Sequence, residues 1–145
     1  MNNYNEWDEL DFLFNRAKLK EINPDVGISK RRMLIIELSE ILKDIKVKYY
    51  LGGKTSFIFD ENYYENIFED NIVIFEESSK QLISNINKFI DKGFEVIKKN
   101  KNQIFLLKEK RVFKIDLSSD TLRDLKINLT EKKINNNILL VNKII

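Results

Sequence analysis

Two short stretches decide the fold of this chain: Val47-Lys48-Tyr49-Tyr50-Leu51-Gly52-Gly53-Lys54-Thr55 and Glu69-Asp70-Asn71-Ile72-Val73-Ile74. The first reads as a strand rich in aromatic and branched residues that runs into two glycines. Glycine there permits a turn with positive φ, or a close approach of a phosphate to backbone N–H groups. The second reads as an apolar strand, Asn71 to Phe75, with an acidic lead-in. Alternate residues of a strand share a face, so Glu69, Asn71, Val73, Phe75 and Glu77 fall on one side. Asp70, Ile72, Ile74 and Glu76 fall on the other.

Helical periodicity dominates upstream. Residues 5–22 place Trp7, Leu10, Leu13, Phe14 and Ala17 at helical spacing, and Asn23-Pro24 stops the pattern. A second helix is predicted from Ser29, as cap, to Ile45, with Leu34, Leu38, Ile41, Leu42 and Ile45 as its buried stripe. Lys30, Arg31 and Arg32 fall in its first turn, where the helix dipole disfavours them. They read as solvated charges or as a small anion-facing patch.

Residues 54–59 fit either a strand or a helix starting after the glycines, and 60–70 read as an acidic, aromatic loop. Ser78 with Gln81 has the pattern of a capping box opening a helix through Leu82, Ile83, Ile86, Phe89 and Ile90, closed by Lys92-Gly93. Phe94–Lys98, Gln103–Leu107 and Arg111–Leu117 then predict an antiparallel meander with tight turns. In the tail, Leu122 and Leu125 fit a short helix, and Ile138 to Val141 a last strand or helix. The order implies one α+β (α/β) domain over 1–145, a mixed or antiparallel central sheet with helices packed on it.

Composition narrows the chemistry. The chain of 145 residues has no cysteine and no histidine, which excludes disulfides, thiolate chemistry and histidine-based triads, and argues against zinc. Net charge is +2 with 33% charged residues, a mixed surface rather than a general nucleic-acid signature. No apolar run approaches the roughly 20 residues that a membrane span needs. Met1 to Glu9 is polar and acidic, unlike a signal peptide, so a cytoplasmic location is the expectation.

Charge is blocked along the chain. Residues 60–77 hold seven acids and no base; residues 98–114 hold seven bases and one acid, Glu109. The blocks are expected to face each other or water. Alternatively the basic hairpin attracts a nucleotide or nucleic-acid phosphate, with Phe105 and Phe113 as stacking platforms or as core. Asp116 sits near the end of its strand, opposite in phase to Phe113, Ile115 and Leu117. It reads as an exposed strand-end aspartate or as a metal ligand or base facing a cleft.

Taken together, helix, strand, Gly-Gly, acidic strand, helix, strands and aspartate resemble the nucleotidyltransferase superfamily, most closely the branch of bacterial phosphorylcholine transferases and fukutin-like proteins. Members of that branch carry a strand ending in Gly-Gly-Thr, an acidic strand of Asp-Asp-Asp-Ile-Asp-Ile type, and a third aspartate on a later strand. The resemblance covers roughly residues 30–118 of the chain. It implies a nucleotidyltransferase-like core over 46–118, preceded by helices over 5–45 and followed by an extension over 119–145. It implies a phosphate-side wall of Gly52, Gly53, Lys54 and Thr55, with Asn71 beside it, and Asp70 and Asp116 as catalytic or metal-binding carboxylates.

The family's two paired aspartates fall on Asn71 and Val73, so the metal site is expected to be impaired, and Phe68-Glu69 stands where a Trp-Asp pair commonly leads the strand. A non-catalytic protein binding a nucleotide or a protein partner is the expectation. The alternatives are an active Mg²⁺-dependent transferase using Glu69, Asp70 or Glu77 as substitutes, and a protein- or nucleic-acid-interaction module.

Overall fold

A computed structural model describes residues 26–61, 65, 67–117, 129–134 and 137–141. The predicted helix over 5–22 and the short helix around Leu122 and Leu125 lie outside these residues.

Helix α1, Ile28–Asp44, buries Leu34, Ile35, Leu38, Ile41 and Leu42, as its periodicity requires. It starts earlier than predicted. Gly27, with φ 92°, is the N-cap, and its carbonyl accepts the first helical bond from the Arg31 N–H at 3.1 Å. Ser29 therefore lies inside the helix. The exit uses a lysine in the left-handed region: Lys46 has φ 59°. Its N–H and that of Val47 return to the carbonyls of Lys43 and Leu42 at 3.0 Å each, a Schellman closure. Those bonds, and a 2.9 Å bond from the Lys48 N–H to Ser78 Oγ, divert the donors expected of a longer strand. Strand β1 is accordingly only Tyr49–Leu51.

After Gly52 the chain forms a 3-10 helix, Gly53–Phe57, so the ambiguous segment is helical rather than extended. Strand β2, Glu69–Ile74, includes the acidic lead-in. The helix predicted after Ser78 divides into α2, Ser79–Ser84, and α3, Asn87–Asp91. Ser78 does not cap it, because its hydroxyl accepts from Lys48 instead. The stop at Gly93 is as predicted. Gly93 has φ 92°, and the Phe94 and Gly93 N–H groups bond to the carbonyls of Phe89 and Ile90 at 2.9 and 3.0 Å. The Phe89 and Phe94 rings meet edge to face at 6.4 Å, the apolar contact that completes this cap.

The meander is present as β3 Glu95–Lys99, β4 Gln103–Lys108 and β5 Arg111–Leu117. Asn100 Oδ1 accepts from the N–H groups of Asn102 and Gln103 in the first turn. Glu109 and Lys110, with φ 47° and 73°, make the two-residue second turn. Strands β6, Thr130–Ile134, and β7, Asn137–Val141, close the sheet. Residues 138–141 are thus strand.

The seven strands lie in the order β3-β4-β5-β2-β1-β7-β6. The sheet is mixed: β2 pairs with β5 and β1 with β7 in parallel, and the remaining pairs are antiparallel. The main core, between α1 to α3 and one face, holds Leu34, Leu38, Leu51, Ile72, Ile74, Phe89, Phe94, Phe113 and Ile115 among others. The opposite face carries two smaller clusters, one of Tyr50, Val73 and Phe75, the other of Ile97, Leu107 and Val112.

Candidate functional site

Strand β2 sits between β1 and β5, so both faces of its acidic segment are built by named neighbours. On the helical face Asp70 is completely buried. Arg31, one turn into α1, donates from Nη2 to Asp70 Oδ1 at 2.8 Å and from Nε to Oδ2 at 3.4 Å. Arg111, the first residue of β5, donates from Nε to Oδ2 at 2.9 Å. The Thr55 hydroxyl donates to Oδ1 at 2.9 Å and accepts the Asn71 N–H at 2.8 Å. The two guanidiniums also donate to carbonyls of the approach to β2. Arg31 Nη1 reaches Glu65 O at 2.7 Å, and Arg111 Nη1 reaches Ile67 O at 2.5 Å and Phe68 O at 3.2 Å. This network ties helix, 3-10 turn, approach loop and two strands together. Both Asp70 oxygens are directed into it.

The opposite face carries the other predicted residues. The Gly52 N–H donates to Asn71 O at 3.1 Å. A Cβ on Gly52 would lie 3.2 Å from both Asn71 Nδ2 and Val73 Cγ2, so the glycine is what lets β1 end against these side chains. In the parallel pairing of β2 with β5, Asn71 is opposite Lys114 and Val73 opposite Asp116. Gly52, Asn71, Val73 and Asp116 therefore converge on one face. Asp116 is partly buried; Oδ1 accepts from Gln103 Nε2 at 3.1 Å, and Oδ2 lies 3.8 Å from Lys114 Nζ. Glu69 Oε1 lies 3.8 Å from the same ammonium. Asn71 Oδ1 is buried and makes no hydrogen bond among the described residues.

Gly53, with φ 54°, and Lys54 are exposed at the rim, and Lys54 forms an ion pair with Glu65. Thr55 is completely buried beneath them.

The charge blocks face each other through Arg111–Asp70 and Lys114–Glu69. Arg32 is held by the Ile58 and Asp60 carbonyls, and Lys30 by Glu109 at 2.5 Å. The Lys30 hydrogen bond pulls the Glu109 carboxyl below its ordinary value. Phe113 is core, packed on Phe94, while Phe105 is half-buried with Lys98 5.8 Å above its ring.

Strand alternation places Lys114 on the Asp116 face, as found, but Arg31 is buried rather than solvated, and neither it nor Arg111 is expected in a buried cluster. Arg31 shares the helical phase of Leu34, Ile35, Leu38 and Leu42. Arg111 shares the strand phase of Phe113, Ile115 and Leu117. Both phases face the core, as does that of Asp70 among Ile72 and Ile74. That coincidence was the available signal for a buried ion network.

A magnesium site of the kind that the resemblance implies does not fit these residues. Asn71 offers a neutral oxygen, Val73 none, Asp70 points to the other face, and Asp116 is already engaged by an ammonium and an amide. Among the described residues no group of three or more Asp or Glu side chains could hold a metal ion. Among them, too, no helix is long and apolar enough to cross a membrane. No protein-family model matches the chain, and no curated protein or solved structure matches it.

Proposed function

We propose that this chain is a nucleotidyltransferase-like protein that has lost its metal site and works as a non-catalytic nucleotide-binding protein. The observation that carries the reading is the convergence of Gly52, Asn71, Val73 and Asp116 on one sheet face, with an amide and an isopropyl group in the two positions where the family places aspartates. Gly52, Gly53 and Lys54 form the phosphate-side wall. Thr55 supports that wall from the interior by linking it to Asp70 and Asn71. Asn71 and Asp116 line the floor. Asp70 is assigned to the scaffold, because a carboxylate between two buried guanidiniums is unavailable to substrate.

Thermal or urea unfolding with ATP and CTP, each with Mg²⁺ and with a chelator, tests the reading. A ligand at 100-fold excess over its Kd stabilises by about 2.7 kcal/mol. The expected result is stabilisation of equal size with and without metal, and no turnover. Stabilisation that needs Mg²⁺, together with turnover, would assign a working transferase using Glu69 and Asp116 instead. No response to either nucleotide would leave a protein-interaction module.

A further inference from the structure

We infer that the segment 5–22 of this chain docks on the second face of the sheet, on an apolar seat formed by Ile97, Phe105, Leu107 and Val112. The seat is built by strands: Ile97 comes from β3, Phe105 and Leu107 from β4, and Val112 from β5. The described helices put their buried apolar side chains into the core on the other face, and none contributes to the seat. Even so, Val112 is 1%, Leu107 5% and Ile97 7% exposed. Aliphatic side chains on a bare sheet face would keep much of their surface in water, so these three are covered. The sequence of β4 agrees. Ile104-Phe105-Leu106-Leu107 is apolar at four successive positions. That is the pattern of a strand covered on both faces, whereas a sheet with one wet face alternates apolar and polar residues.

Two observations select the occupant. Residues 5–22 lie outside the described residues, but their sequence carries Trp7, Leu10, Leu13, Phe14 and Ala17 at helical spacing, an apolar stripe that requires a surface. A helix of that length spans about 27 Å, ample to cross three strands about 4.8 Å apart. The second observation is where the described chain enters the fold. Gly27 caps α1, and Lys30 in its first turn pairs at 2.5 Å with Glu109 in the β4–β5 turn. Leu107 and Val112 are cross-strand partners one step inside that same turn, on the second face. Residues 23–26 therefore need only pass around one turn to bring 5–22 onto the seat. The stretch after Leu117 leaves β5 at its far end, about 17 Å from Val112 at about 3.4 Å per residue. Asp116 shares the face with Val112 but lies toward that far end, so the docked segment borders the candidate nucleotide site. The docking does not depend on nucleotide binding.

The composition supplies the probes: Trp7 is the single tryptophan, and there is no cysteine. In the full chain, Trp7 emission should be blue-shifted from that of free tryptophan, protected from acrylamide, and independent of protein concentration. Leu107→Lys should shift it to the red with the far-UV circular dichroism retained, and Ile83→Lys, on the exposed surface of α2, should leave it unchanged. The second measurement needs no disruptive substitution and stands if Leu107→Lys unfolds. Ala17→Cys is combined in turn with Phe105→Cys, Leu107→Cys, Val112→Cys and Ile83→Cys, and each pair is oxidised. At least one of the three seat positions should form a disulfide within one chain, and Ile83→Cys should not. Water-like Trp7 emission in the wild type would overturn the docking. So would a link to Ile83→Cys alone, which would put the segment on the helical surface, or no link at all, which would leave another stretch as the cover. Links between chains, with emission that depends on concentration, would assign the seat to a second copy instead.

Discussion

Glu69 and Asp70 are neighbours in the chain with opposite fates. The strand turns Asp70 into the helical face, where it and the Arg111 side chain are 0% exposed. It turns Glu69 to the other face, where Glu69 and Lys114 are 28% and 25% exposed. One face thus carries an acid shared by two bases, from β2, β5 and α1, and the other a base shared by two acids, from β2 and β5. The buried cluster uses arginine, whose planar fork serves carboxylate and carbonyls together. The half-exposed cluster uses lysine at a longer distance. Burial converts the first into an obligatory part of the fold, since no charge in it can be removed without stranding another. Partial exposure leaves the second within reach of solvent and salt.

The sharpest way to break this contrast is to remove Asp70. Asp70→Ala leaves two buried guanidiniums without their shared carboxylate, and the cost expected is about 3–5 kcal/mol in urea unfolding. For a domain of this size that is a large share of total stability. A loss below about 1 kcal/mol would mean that the network is not what joins α1 to the sheet. Next in size is Thr55→Val, which is nearly isosteric but deletes a hydroxyl that donates to Asp70 and accepts from Asn71. It should cost about 1–3 kcal/mol, chiefly from the stranded Asn71 N–H. If the glycine wall depends on that support, nucleotide-induced stabilisation should fall as well.

How far the sequence reveals these clusters follows from the periods involved. The α1 stripe, the meander and the mixed sheet are legible, because Leu34 to Leu42 repeat at helical spacing and Arg111 to Leu117 alternate. The glycine corner and the face shared by Asn71, Val73 and Asp116 follow from strand alternation and the resemblance. The strand Thr130–Ile134 is not legible: Thr-Glu-Lys-Lys-Ile has no alternation, and only pairing with β7 makes it a strand. Ser29 and Ser78 are both cap-type residues that do not cap, Ser29 because the helix starts one residue earlier behind Gly27. A capping residue type is a local preference, and tertiary bonding decides whether its oxygen is used for the cap or, as at Ser78, for another strand's N–H. The pairing of Arg31 with Asp70 spans 39 residues, beyond any local pattern.

The adjacent tyrosines of β1 extend the contrast to pH. Tyr49 packs against the helical core, and burial raises its phenol above the ordinary 10.0, while a hydrogen bond with Ser39 opposes the shift. The folded state therefore prefers neutral Tyr49. The stability this contributes is fully present below pH 10.0 and is lost as pH rises toward the folded value. Urea midpoints measured upward from pH 9 should fall, and Tyr49→Phe should flatten the fall. An unchanged slope in that variant would place the alkaline transition elsewhere.

The smallest effect belongs to the half-exposed face. Asp116→Asn keeps an oxygen that can accept from Gln103 and removes only a screened ion pair with Lys114. Its cost should be below about 1 kcal/mol, and should shrink further as salt is raised, since exposed pairs are screened. The Asp70→Ala deficit should stay nearly constant across the same salt range, because its partners are out of reach of the ionic atmosphere. Parallel salt dependences for the two variants would erase the distinction between a structural carboxylate and an available one.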